Sequence, residues 1–133
     1  MILTDMQELV IEDNQLKAAS GAALIEASRQ AAAAGLTGLE FACGIPGSIG
    51  GAIYMNAGAY GGEVKDVISQ VQTMTRDGQL KTYAGADCDF SYRHSRFQER
   101  DEVILGVTFD LALGDQSTID SKMAKLTYRS TAR

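Results

Sequence analysis

The chain has 133 residues, of which 45% are hydrophobic and 22% charged, the size and composition of one ordinary globular domain. A formal net charge of −5 argues against nucleic-acid or membrane-surface binding carried by bulk electrostatics. No apolar run reaches the roughly 18 residues of a membrane span, and the opening MILTDMQELVIED lacks the basic and long apolar regions of a secretory signal. Cys43 and Cys88 are too few and too far apart for a disulfide framework or a cysteine metal site. A reduced, cytoplasmic setting is expected.

In chain order, ELVIEDNQLKAAS (8–20) predicts two short strands around a turn at Asp13-Asn14, residue types that hydrogen-bond their own backbone in turns. Ser20 is placed to cap a helix through GAALIEASRQAAAA (21–34), with Gly35 as its stop and a buried face of alanines with Leu24 and Ile25. After a glycine-rich stretch, VISQVQTMT (67–75) alternates as a strand, Arg76-Asp77-Gly78 turns, and QLKTYA (79–84) returns. EVILGVTFDLAL (102–113) is the most strongly patterned strand. Strict alternation puts Val103, Leu105, Val107 and Phe109 on one face and Ile104 on the other. The final STIDSKMAKLTYR (117–129) suits an amphipathic helix with Ile119, Met123 and Leu126 in one stripe. Ser117 and Asp120 resemble a capping box there, and Lys125 and Arg129 sit near the negative end of the dipole. The pattern is α+β, and residues 1–133 form a single unit without repeats or linkers.

Half of the 14 glycines, and the only proline, Pro46, lie in CGIPGSIGGAIYMNAGAYGGE (43–63). Without a Cβ, glycine reaches positive φ and lets a ligand approach the backbone. Successive N–H groups in GIPGSIGG could then form an anion nest at a helix start, whereas tight turns and helix packing alone would also call for glycine. The segment is neither a Walker loop nor the dinucleotide fingerprint, since no Gly-Lys-Ser/Thr and no GxGxxG is present. A phosphate- or cofactor-binding loop is as far as the residues lead. In YRHSRFQER, Arg93, His94, Arg96 and Arg100 gather positive charge, which a solvated loop would also explain, and no cluster at ligand spacing suggests a metal.

GLEFACGIPGSIGGAIYMNAGAYGGE, followed some thirty residues later by DFSYRHSRF, resembles the UDP-N-acetylenolpyruvoylglucosamine reductase family of flavoenzymes. The form SYRHS is similar to the shorter type found in many Gram-positive bacteria. The likeness covers nearly the whole chain, which is similar to the middle third of the family's protein. It implies an FAD-binding subdomain of the PCMH-like kind, with a mainly antiparallel sheet flanked by helices. It further implies a hydride passed from NADPH through FAD to UDP-GlcNAc-enolpyruvate, giving UDP-N-acetylmuramate for peptidoglycan. By resemblance, Ile45, Pro46, Gly47, Gly50, Gly51, Tyr54, Asn56, Gly58, Ala59, Tyr60 and Ile104 line the FAD site. Arg93 is the catalytic residue that holds the substrate carboxylate, and Tyr92 binds substrate beside it.

The sequence departs from the family pattern at both ends. No GxGSN-like loop for the FAD pyrophosphate precedes Glu40, and the chain stops before the GSxFKNP-like motif and the glutamate of the substrate domain. Two readings follow: a piece of the reductase that is inactive alone, or a non-catalytic FAD-binding or purely structural module. The two differ on whether the chain alone binds flavin; weak or absent FAD binding is expected, as is self-association through surfaces left uncovered.

Overall fold

The computed structural model describes residues 6–59, 62–91, 93–98 and 101–131. Its elements begin with strands β1 (Leu9–Glu12) and β2 (Gln15–Ala19), helix α1 (Leu24–Ala33) and the short strand β3 (Leu36–Thr37). Helix α2 (Ile49–Tyr54) and strands β4 (Gly58–Ala59), β5 (Gly62–Glu63), β6 (Ile68–Thr75) and β7 (Leu80–Ala84) follow. The last are β8 (Glu102–Asp110), β9 (Ala112–Leu113) and helix α3 (Gln116–Thr131).

The expected hairpin forms between β1 and β2, with Asp13 left-handed at its turn (φ 54°), a conformation its short polar side chain tolerates. The main sheet has the order β1-β2-β8-β6-β7, antiparallel at every pairing. Core side chains on its covered face include Leu16 and Ala18 of β2, Val107 and Phe109 of β8 and Val71 of β6, which are buried together with Leu24, Ala27 and Ala31 of α1 and Ile49 and Ile53 of α2. The opposite face carries Lys17, Gln70, Gln72 and Thr108, none of them fully buried. One face covered by helices and one polar face is the usual economy of an antiparallel sheet.

Strict alternation fails in the two long strands, for one reason. Ile68 pairs with Phe109 but Gln70 with Thr108, which makes Ser69 an extra residue. Gln72 pairs with Gly106 but Thr73 with Ile104, which makes Leu105 another. A bulge of this kind inverts the facing of every residue beyond it. Ile104 is therefore buried on the same side as Val107 and Phe109, not opposite them, and Val103 is 64% exposed. The strand also ends at Asp110, three residues short of the expected length. Leu111 N donates to Asn14 O at 2.8 Å, and β9 pairs instead with β3.

Two expected caps are also corrected. Ser20 does not start α1, because residues 20–24 are drawn into contacts across the fold. Ser20 N donates to Leu105 O at 2.8 Å and Leu24 N to Gly47 O at 3.0 Å. Ala23 stays extended as the N-cap, and α1 ends as expected before Gly35, which is left-handed (φ 75°). At α3 the cap is Asp115: its Oδ2 accepts from Thr118 N at 3.0 Å and from Thr118 Oγ1 at 2.9 Å. Asp120 receives Gln116 Nε2 at 2.8 Å, so Ser117 and Asp120 form no capping box. Ile119 and Leu126 of the expected stripe are buried.

Candidate functional site

Two segments far apart in sequence, 45–63 and 91–98, meet at the C-terminal end of α2. Ser48 starts that helix: its backbone is extended and its Oγ accepts from Gly51 N at 3.1 Å. The neighbouring donors are committed as well, Ile49 N to Ala22 O at 2.8 Å and Gly50 N to Ser20 O at 2.9 Å. The anion nest expected of GIPGSIGG is thus closed at residues 49–51. The N–H groups of Ile49 and Gly50 hold α2 against the segment following β2.

What α2 leaves open is a strip with little side chain. Pro46, Gly47, Gly51 and Tyr54 are exposed, whereas Ile49, Ala52 and Ile53 are buried; Ile45, Gly50, Gly58 and Ala59 lie between these extremes. Gly47 has φ 115°, and nothing lies within 4 Å of the position a Cβ would take. A flat ring system fits such a strip, because it can approach backbone that no Cβ shields. Residues 49–51 offer no donor for a phosphate.

Beyond α2 the chain turns at Asn56, left-handed (φ 46°) and 1% exposed. Its Nδ2 donates to Glu63 Oε1 at 3.0 Å and to Ser91 O at 2.8 Å, and its Oδ1 accepts from Lys65 N at 3.1 Å. Both amide protons are spent inside the protein. Asn56 therefore acts as a joint between the glycine segment, the turn at Val64–Asp66 and Ser91. The β4–β5 hairpin follows, where a Cβ at Gly58 would lie 2.7 Å from Gly62 O, so the hairpin's own packing requires glycine.

In the second segment, Ser91 and His94 exchange backbone hydrogen bonds at 3.1 Å and close a loop in which Arg93 is left-handed (φ 51°). Arg93 Nη1 donates to Gly58 O at 3.4 Å, so the predicted catalytic residue and the glycine segment come together. Phe97 anchors the segment; it is buried and packs edge-on against Tyr83 with ring centroids 5.5 Å apart. Ser95, fully buried, donates its Oγ to Tyr54 O at 2.7 Å. Gln98 Nε2 donates to Tyr54 O at 3.0 Å and to Arg93 O at 3.1 Å. Sequence reasoning missed Gln98, and no motif marks it. Its role depends on which carbonyls the fold brings within reach.

Tyr60 and Tyr92 lie outside the described residues. Ile104 is 8% exposed and packs in the core. Cys88 is fully buried, and burial pushes its thiol up to about 11, leaving it protonated at neutral pH. Glu40 is also buried. Burial alone would raise its pKa, but hydrogen bonds from Thr37 Oγ1 at 2.5 Å and Gly38 N at 2.6 Å, with Lys122 beyond, hold it below the ordinary carboxylate value. Among the described residues no three His, Cys, Asp or Glu side chains converge on a metal position, and no helix is long and apolar enough to cross a membrane.

Residues 1–84 match the FAD binding domain family. The chain is 53% identical over 123 residues to the UDP-N-acetylenolpyruvoylglucosamine reductase of Lactobacillus delbrueckii subsp. bulgaricus, spanning 92% of this chain and 41% of that protein. It is 51% identical over 133 residues to the reductase of the same name from Limosilactobacillus fermentum, spanning 100% of this chain and 44% of that protein. The chain thus spans less than half the length of these relatives. The crystal structure of UDP-N-acetylenolpyruvylglucosamine reductase (MurB) from Thermus caldophilus superposes with a TM-score of 0.81 at 30% identity, over 92% of this chain and 46% of that one. The main sheet, the glycine segment and the family match agree: the chain belongs to the FAD binding domain family, and it is similar over its length to part of the proteins named UDP-N-acetylenolpyruvoylglucosamine reductase.

Proposed function

We propose that this chain is one lobe of the FAD-binding domain of a cytoplasmic reductase that converts UDP-GlcNAc-enolpyruvate to UDP-N-acetylmuramate with NADPH, for peptidoglycan synthesis. The observation that carries the reading is the 3.4 Å contact of Arg93 Nη1 with Gly58 O, which seats a permanent cation beside the glycine segment. Bound FAD supplies hydride transfer between the nicotinamide and the enolpyruvyl double bond. Ile45, Pro46, Gly47, Gly50, Gly51, Tyr54, Gly58 and Ala59 would face its ring, with Tyr60 assigned to the same site by resemblance alone, and buried Asn56 and Ile104 would support them from behind. Arg93 holds the substrate carboxylate and stabilises negative charge as the enolate develops, while Tyr92 orients the substrate. Arg93 cannot serve as the proton donor, since a guanidinium stays charged. Ser95 is unsuited as well, with its hydroxyl buried and committed to Tyr54 O.

In this reading the loop that grips the pyrophosphate and the substrate domain come from parts of the relatives that the chain does not span. The isolated chain then turns nothing over. The engagement of the N–H groups of residues 49–51 within the protein favours a second reading, a folded module without catalysis.

Grafting this chain in place of the matching segment of the Limosilactobacillus fermentum reductase tests both. The expected chimera retains flavin and oxidises NADPH in response to UDP-GlcNAc-enolpyruvate. Arg93→Ala should then lower turnover by about 100-fold without loss of flavin. A folded, flavin-loaded chimera without turnover would overturn the reductase reading, and a folded chimera without flavin would support the module.

A further inference from the structure

We propose that Gln98 is a positioning residue for Arg93, an inference that rests on the reductase reading in taking Arg93 as the group that holds the substrate carboxylate. The argument starts from the backbone. Arg93 is left-handed (φ 51°), a conformation that a non-glycine residue keeps only when its surroundings fix it. The Ser91–His94 bonds close the loop around it, but they leave its placement relative to α2 to other contacts.

Ser95 Oγ ties its own residue to Tyr54 O at 2.7 Å, and Gln98 extends that tie to Arg93 itself. The one amide nitrogen of Gln98 donates to Arg93 O at 3.1 Å and to Tyr54 O at 3.0 Å. Tyr54 is the last residue of α2, where carbonyls lack partners within the helix. The Gln98 amide therefore ties the Arg93 backbone directly to the element that carries the exposed glycine strip. The turn bearing Gln98, Arg96–Gln98, is held by buried Phe97, so the amide is presented from an anchored base. Only a group with two N–H protons at this reach can make both bonds. Asn56 secures the other side of the loop through Ser91 O at 2.8 Å, two residues before Arg93. The guanidinium then reaches Gly58 O from a backbone held at both flanks.

The test uses the flavin-loaded chimera with Gln98→Ala, Gln98→Glu, Arg93→Ala and the Gln98→Ala/Arg93→Ala double variant. Gln98→Ala should lower kcat/KM by about 10- to 100-fold, the penalty of a misplaced catalytic group. In the Arg93→Ala background the same change should cost nothing further, because the residue through which Gln98 acts is gone. Gln98→Glu presents a carboxylate to two carbonyl oxygens. It should match Gln98→Ala at neutral pH and recover towards wild type as acid restores one donor. Equal losses in both backgrounds would reduce Gln98 to a structural role and overturn the proposal.

A second measurement does not depend on turnover. In the 133-residue chain, Gln98→Ala should lower the backbone 15N order parameter of Arg93 to below about 0.6 while Ala57 and Phe97 stay rigid. An unchanged Arg93 overturns the positioning role. Absence of turnover in the wild-type chimera would instead count against the reductase reading alone.

Discussion

Asn56 offers the sharpest test of how the glycine segment is held. Replacing it with Ala removes three hydrogen bonds at once, to Glu63 Oε1, Ser91 O and Lys65 N, at a site 1% exposed. At about 1 kcal/mol each the bonds amount to roughly 3 kcal/mol, and an alanine at φ 46° adds about 1 kcal/mol of left-handed strain. A loss of this size should lower the thermal midpoint by about 10 °C or more in a domain of this length. Asn56→Asp separates the contributions. It keeps the acceptor for Lys65 N and tolerates the left-handed backbone, yet it sets a carboxylate against the Glu63 carboxylate and the Ser91 carbonyl. At pH 7 it should be at least as damaging as Asn56→Ala, and its deficit relative to wild type should shrink at pH 5, where one acid can take a proton and become a donor. Urea unfolding of wild type and both variants at the two pH values reads this directly. An Ala variant within about 1 kcal/mol of wild type, or an Asp variant whose deficit grows in acid, would refute the account of Asn56 as a joint.

Two further outcomes are expected. Glu40 titrates below its ordinary value in the folded chain, so the stability it contributes is complete above the ordinary carboxylate pKa and is lost as pH falls through the lowered one. Glu40→Gln should cost about 1 to 2 kcal/mol at neutral pH, and a gap from wild type that stays constant into acid would contradict the assignment. The thiols should also differ: in the native chain at pH 8, half-buried Cys43 should react with a thiol reagent, whereas Cys88, buried and raised to about 11, should wait for unfolding. Rapid modification of both would disprove that environment for Cys88.

Local chemistry made much of the fold legible. Turn residues at Asp13-Asn14 and Arg76-Asp77-Gly78 placed two hairpins, and Gly35 placed the end of α1, because each acts through its own backbone. The bulges at Ser69 and Leu105 were not legible. A bulge is a property of two strands pairing, and either strand alone still reads as alternating. The caps failed for a related reason: Ser20 has the right residue type, but its N–H and C=O already serve Leu105 and Gly50 across the fold.

The site divides along the same line. A motif could mark Arg93 and the glycine segment, and the structure brings them within 3.4 Å. A motif could not separate glycines that serve a ligand from glycines that serve the protein, because both uses need only a missing Cβ. Gly58 is required by Gly62 O at 2.7 Å from its would-be Cβ, while Gly47 combines positive φ with open space. What distinguishes the uses is where the neighbouring N–H groups go. At Ile49, Gly50 and Gly51 they go to Ala22 O, Ser20 O and Ser48 Oγ. The first two destinations are set by tertiary contacts, so a glycine-rich run in a sequence indicates that something approaches the backbone closely without saying whether it is a ligand or the chain itself.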